Sequence, residues 1–131
     1  MIEQTMDSLV VSTTVATYYI LPDGTHIGQY DYPPPYPDVI AVPAPLSSDQ
    51  VWDFETQTWG PSLFLMSQRE LAWVTAEMSV IAEQLLMLED GDPVAAPGTE
   101  AEWRAYRIKV RAWKIDNPDF PDMTKRPVRP S

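Results

Sequence analysis

The sequence predicts an α+β protein: a small N-terminal β meander or hairpin lobe with a proline-rich connector, then an antiparallel αα-hairpin and an extended proline-rich tail. Three observations carry this. The apolar period changes from about two to about three and a half near Ser67. Six of the 14 prolines fall between Pro33 and Pro45, where missing N–H groups forbid helix and favour extended backbone. Pro118, Pro121, Pro127 and Pro130 then stiffen the C-terminal end. With 131 residues the chain has room for one core or two small lobes, and the change of period divides it into residues 1–62 and 63–131.

In the first part, Val10 to Ile20 is dense in Val, Thr and Tyr, which suit a pleated surface. Leu21-Pro22-Asp23-Gly24-Thr25 supplies turn chemistry before Ile27 to Tyr32, predicting a hairpin. Val39-Ile40-Ala41-Val42 reads as a further strand. The run Trp52-Asp53-Phe54-Glu55-Thr56-Gln57-Thr58-Trp59 follows, with Trp52 and Phe54 on one face by alternation and Gly60-Pro61 as the stop. A meander with a tryptophan core accounts for these residues. A lobe of about 60 residues, however, has little interior for so many rings, so some are expected to face a partner.

From Ser67, Leu71, Val74, Met78, Ile81, Leu85 and Leu88 recur at alternating steps of three and four, the narrow seam of a coiled coil. Ser67 with Glu70 reads as a capping box at the start of this helix. Trp73, Val80 and Met87, seven apart, form a second stripe. Gly91, Pro93, Pro97 and Gly98 end the helix, and Thr99 with Glu102 opens another as a second capping box. Trp103, Tyr106, Val110 and Trp113 continue the seam until Asn117-Pro118, so the two helices fold back as a hairpin. The tail either lies across that hairpin, anchored by Phe120 and Val128, or is free.

Charge and residue inventory limit the chemistry. Nineteen acids against nine bases give −10, which disfavours nucleic acid and anionic membrane as partners. The balance is uneven: residues 1–103 carry −15, and residues 104–131 carry +5. Arg104, Arg107, Lys109, Arg111 and Lys114 either form a docking patch or simply balance Glu70, Glu77 and Glu83 on the neighbouring helix. There is no cysteine, and His26 is the only histidine, so multi-histidine and thiolate metal sites are excluded. The five glycines never approach a phosphate-binding spacing. No metal, cofactor or enzymatic activity is expected. The residual enzyme reading is a hydrolase built on His26 with Asp23 or Asp31, and Pro33 to Pro37 could otherwise serve an adaptor as a ligand. The first 20 residues carry Glu3 and Asp7 and no base, unlike a secretory leader, and no run approaches about 18 uninterrupted apolar residues. The expectation is a soluble, intracellular product without a membrane partner.

Over about residues 52–131 the chain resembles the C-terminal segment of phage tail fibre assembly proteins. The resemblance rests on Glu83-Gln84-Leu85-Leu86, a proline-containing acidic loop, Trp103-Arg104-Ala105-Tyr106-Arg107, and the closing Pro118-x-Phe120-Pro121 with Arg126-Pro127-Val128-Arg129-Pro130. The Trp52-Asp53-Phe54 to Trp59 hairpin is similar to the element preceding that segment in the family. The resemblance implies an ATP-independent chaperone for a tail fibre chain, promoting its folding and trimerisation, with a retained structural clamp or collar on the virion as the alternative. It places the protein in the host cytoplasm during assembly, or on the virion tail if retained, as a homo-oligomer or an assembly matching a trimeric fibre. The candidate partner-binding residues are Tyr30, Tyr32, Tyr36, Trp52, Phe54 and Trp59 of the β lobe, with Trp73, Trp103, Arg107 and Arg111 of the hairpin.

Overall fold

A computed structural model describes residues 16–131. The chain is α+β and divides into two compact units, one ending at Gly60 and the other spanning Pro61–Ser131.

In the first unit, β1 (Thr17–Ile20) pairs antiparallel with β2 (His26–Tyr30), and Leu21–Thr25 forms the turn between them. Residues 10–15 of the expected strand lie outside the described residues. β3 (Ile40–Val42) does not continue a meander from β2. It returns to the other edge of β1, giving the order β2-β1-β3 with Tyr18 opposite Val42 and Ile20 opposite Ile40. Residues 31–39, without helix or strand, give the chain the reach for this crossing. β4 (Trp52–Asp53) and β5 (Thr58–Trp59) form a separate two-stranded ribbon. Ile20, Val42 and Trp52 make the buried cluster of this unit, with Tyr18, Ile40 and Trp59 packed against it.

The expected pairing of Trp52 and Phe54 on one face fails because the strand stops at Asp53. Its Oδ1 accepts hydrogen bonds from the backbone N–H groups of Glu55 (2.9 Å) and Thr56 (3.2 Å), which turns the chain at Phe54. Phe54 is therefore exposed in the turn, and Gln57 takes the left-handed conformation that completes it (φ 57°).

In the second unit, α1 (Leu63–Asp90) is 28 residues long and begins five residues before the start that a cap at Ser67 predicts. Its N-cap is Ser62, whose Oγ accepts from Leu65 N at 3.0 Å. Ser67 lies inside the helix, and Glu70 serves elsewhere. Gly91 closes α1 in the left-handed region (φ 68°), its N–H and that of Asp92 reaching back to Leu88 and Met87. α2 (Glu100–Arg111) starts with the predicted Thr99–Glu102 capping box, both hydrogen bonds of which are present. The helices run antiparallel: Tyr106 meets Glu77 while Trp113, seven residues later, meets Glu70, seven residues earlier. Ile81, Trp103, Tyr106 and Val110 form the buried core, with Trp73, Val74, Met78, Leu85 and Leu88 packed around it. Leu71, predicted for the seam, is exposed.

The different cap position has a measurable consequence. Ser62→Ala is expected to lower stability by about 1 kcal/mol, whereas Ser67→Ala stays within about 0.5 kcal/mol of wild type. Urea unfolding followed by helical circular dichroism distinguishes the two.

Candidate functional site

The most elaborate polar arrangement lies on the face of α1 turned towards α2. Glu70, Glu77 and Gln84 recur every seven residues, two helical turns apart, and each engages chain from beyond α1. Gln84 Oε1 accepts from Ala96 N in the interhelical loop at 2.7 Å. Glu77 Oε2 accepts from the Tyr106 hydroxyl at 2.5 Å. Glu70 Oε1 accepts from Trp113 Nε1 at 3.1 Å.

The carboxylates then bind the tail. After a 3₁₀ turn at Met123–Lys125, the chain runs along the hairpin, and Arg126 lies in the polyproline II region (φ −55°, ψ 147°). Arg126 donates Nε to Glu70 Oε1 (2.6 Å) and Nη2 to Oε2 (2.7 Å). Arg129 repeats this on Glu77, with Nε to Oε2 at 2.7 Å and Nη2 to Oε1 at 2.6 Å. Both are side-on bidentate pairs, the geometry in which guanidinium and carboxylate match best. Arg69 Nε adds a fourth hydrogen bond to Glu70 (2.8 Å), which saturates a fully buried carboxylate. The Arg126 guanidinium also lies over the Trp73 ring, 4.8 Å from its centroid.

The spacing has a geometric origin. Seven residues of α-helix advance about 10.5 Å, while three residues of polyproline II advance about 9 Å and complete one turn. Arginines three apart on such a tail therefore meet carboxylates seven apart on a helix. Glu70 pairs with Arg126 and Glu77 with Arg129, so the tail runs parallel to α1 and antiparallel to α2.

Electrostatics follow from this packing. The Arg126 pair, supported by Arg69 and Trp113, holds the Glu70 carboxyl down at about 2 against the cost of burial. Arg129 and the Tyr106 hydroxyl lower that of Glu77. Burial and the neighbouring Glu77 carboxylate push the Tyr106 hydroxyl up, so it stays protonated and donates.

These contacts correct two expectations. Glu70 and Glu77 are not surface charges balanced by the basic face of α2, but buried groups paired with the tail. The tail is anchored by Arg126 and Arg129, together with Phe120 edge-on to Trp113 (5.6 Å between centroids); Val128 is 85% exposed. The sequence did carry a signal for this site, since Glu70, Glu77 and Gln84 alternate with Val74, Ile81 and Leu88 at steps of four and three.

The predicted partner-binding residues separate into two sets. Tyr30, Tyr32, Tyr36 and Phe54 are exposed on the first unit, Tyr32 by 71%. Trp52 and Trp103 are buried core and cannot face a partner, a correction that reflects where ring area is most stabilising. Trp103 Nε1 donates to Pro97 O. Trp59 is half-buried, donating Nε1 to Pro43 O and packing edge-on to Trp52 and Tyr18. Trp73 is half-buried beneath Arg126; Arg107 is half-buried and Arg111 exposed. His26 bridges the Tyr18 hydroxyl and Gln50 O, at 2.7 and 2.8 Å. The carbonyl can only accept, so Nε2 carries the proton and Nδ1 accepts from Tyr18. Asp23 instead caps its own turn at Thr25 N, so the described residues bring no carboxylate to His26 in a catalytic pairing. Among the described residues no cluster of three or more His, Cys, Asp or Glu could hold a metal ion.

The composition of α1 is the other unusual feature. By length and composition this helix is long and apolar enough to cross a membrane, with a mean hydropathy of 1.4 over an 18-residue window, yet only 11% of that window is buried. Leu65, Leu71 and Leu86 are exposed off the interface with α2, and Leu63, also exposed, continues the line of Glu70 and Glu77 at the N-terminal end of the helix.

The lowered carboxyls set an acid limb for stability. At pH 7 both glutamates are ionised folded and unfolded. As pH falls below about 4.5 the unfolded chain takes up protons that Glu70 refuses until about 2, so stability declines across that interval. Glu70→Gln is expected to flatten this limb in pH-dependent urea unfolding. Arg126→Ala, which strips the main partner from a buried charge, should cost about 3 kcal/mol at pH 7. No protein-family model, curated protein or solved structure matches the chain.

Proposed function

We propose that the protein is an ATP-independent assembly chaperone for a phage tail fibre, acting by stoichiometric binding of the fibre chain rather than by turnover. The observation that carries this reading is the set of exposed apolar side chains on α1, Leu65, Leu71 and Leu86, on a 28-residue helix in a chain of net charge −10. Trimeric fibres assemble slowly because intertwined β structure forms only when chains meet, leaving apolar edges exposed in the interval. An apolar helix face shields such edges, and the acidic surface keeps the complex dispersed.

The resemblance over residues 52–131 supports the same reading, since the Trp-x-x-Tyr-Arg run and the Arg-Pro-x-Arg-Pro ending both belong to the helical unit. The exposed rings of Tyr30, Tyr32, Tyr36 and Phe54 offer a second contact surface for the fibre chain. In this reading the buried rings Trp52 and Trp103 maintain the two cores and act on the client only through them.

Co-expression tests the proposal. The fibre chain encoded beside this protein should give markedly more dispersed trimer with it than without it, measured by size-exclusion chromatography with light scattering. A Leu71→Glu, Leu86→Glu variant that keeps its helical circular dichroism should lose the benefit. Equal trimer yields with and without the wild-type protein would overturn the reading.

A further inference from the structure

The way the tail is held is that of a ligand rather than of a packed element. Among the described residues no backbone–backbone hydrogen bond holds residues 126–131; the last of that kind is Lys125 N to Asp122 O. The attachment consists of side-chain contacts at fixed intervals. Arg126 and Arg129 each engage one carboxylate side-on, and Arg126 also covers Trp73.

Pro130 sits over Gly98 and Trp103. A Cβ built on Gly98 would fall 2.6 Å from Pro130 Cβ and 2.9 Å from Trp103 Nε1, so the glycine makes the seat for the proline ring. Gly98 also has a φ of 115°, which side-chain-bearing residues rarely adopt. Between the arginines, Val128 is 85% exposed and contributes little to the attachment. The tail does not fill its groove: a cavity of about 210 Å³ remains between Val128 and Pro130 on one side and Glu102, Ala105, Tyr106 and Lys109 on the other.

We propose that the face of the helical hairpin carrying Glu70 and Glu77 is a recognition groove for extended peptides of the pattern Arg-Pro-x-Arg-Pro, with the chain's own C-terminal segment as its resident, detachable ligand. The class of ligand is set by chemistry. Two carboxylates two helical turns apart select arginines three apart, and only the polyproline II conformation puts both on one side at that interval. Bidentate pairing favours arginine over lysine. Proline-rich peptides are preorganised, so little conformational entropy is lost when one seats. The groove thereby gains a function in trans, taking a basic proline-rich segment of a second polypeptide whenever its own tail lifts. The tail competes as an intramolecular ligand, at an effective concentration on the order of millimolar. The inference stands independently of the chaperone reading, because it rests on the Glu70 and Glu77 pairs with the tail and not on the exposed leucines of α1.

The test uses the full chain with R126A and R129A together, and a fluorescent synthetic peptide of residues Thr124–Ser131. Saturable binding by fluorescence anisotropy is expected. A peptide with both arginines replaced by lysine should bind at least about tenfold more weakly. The wild-type chain, with its groove filled, should also bind at least about tenfold more weakly than the double variant. If the double variant loses helical circular dichroism, the arginine peptide should restore it saturably and the lysine peptide should not. Absence of saturable binding to a helical variant would overturn the proposal. So would failure to restore an unfolded one, or equal affinity for the two peptides.

Discussion

Two buried carboxylates organise the helical unit. A buried glutamate destabilises a fold unless every acceptor position is satisfied, and α1 on its own offers Glu70 only Arg69. The remaining partners come from Trp113 and Tyr106 on the α2 side and from Arg126 and Arg129 in the tail. Three segments far apart in sequence must therefore reach one register together. An apolar seam by itself would permit sliding by a turn; a carboxylate that must meet a guanidinium and an indole does not. The charge asymmetry acquires a structural meaning here, since two arginines of the basic C-terminal end neutralise the buried carboxylates of the acidic helix.

The β unit applies a similar device without charge. Gln50 is buried, with Oε1 accepting from Leu46 N and Ser47 N, Nε2 donating to Gly60 O, and its own carbonyl accepting from His26 Nε2. One residue thus ties β2, the loop after β3 and the end of the ribbon together. Ile20, Val42 and Trp52 pack as the apolar cluster of the same unit. Tryptophan is divided by burial: Trp52, Trp103 and Trp113 lie in the cores, while Trp59 and Trp73 lie at their margins. The rings left in solvent are chiefly tyrosines, whose hydroxyls tolerate water. They are the ones available to the proposed fibre contact.

Much of the helical hairpin was legible from local signals. The Thr99–Glu102 capping box, the Gly91 terminus and the Trp103, Tyr106, Val110, Trp113 spacing are short-range features, and the structure retains all of them. The predicted seam of α1 holds at Val74, Met78, Ile81, Leu85 and Leu88, all of which pack in the core. Leu71 departs from it and is exposed, while Glu70, Glu77 and Gln84 supply polar positions of the same interface that the apolar pattern passes over. Counting apolar residues misses the glutamates because a carboxylate counts as a surface group. That rule fails only when a partner far along the chain supplies the compensating charge. Phe54 failed for a local reason, an aspartate-led turn that ends the strand one residue before it.

What the sequence alone determined was the kind of local structure each segment adopts: β-rich backbone before Gly60, helices bounded by capping residues and glycine, and an extended tail where proline removes donors and restricts φ. Only the tertiary structure decided which edge of β1 receives β3, which tryptophans are core, and that the tail is bound through Arg126 and Arg129. The division has a physical cause. Backbone conformation is governed by side chains within a few residues, and those are adjacent in the sequence. The pairing of a buried charge depends on a group more than fifty residues away, which becomes its neighbour only once both helices and the tail are in place.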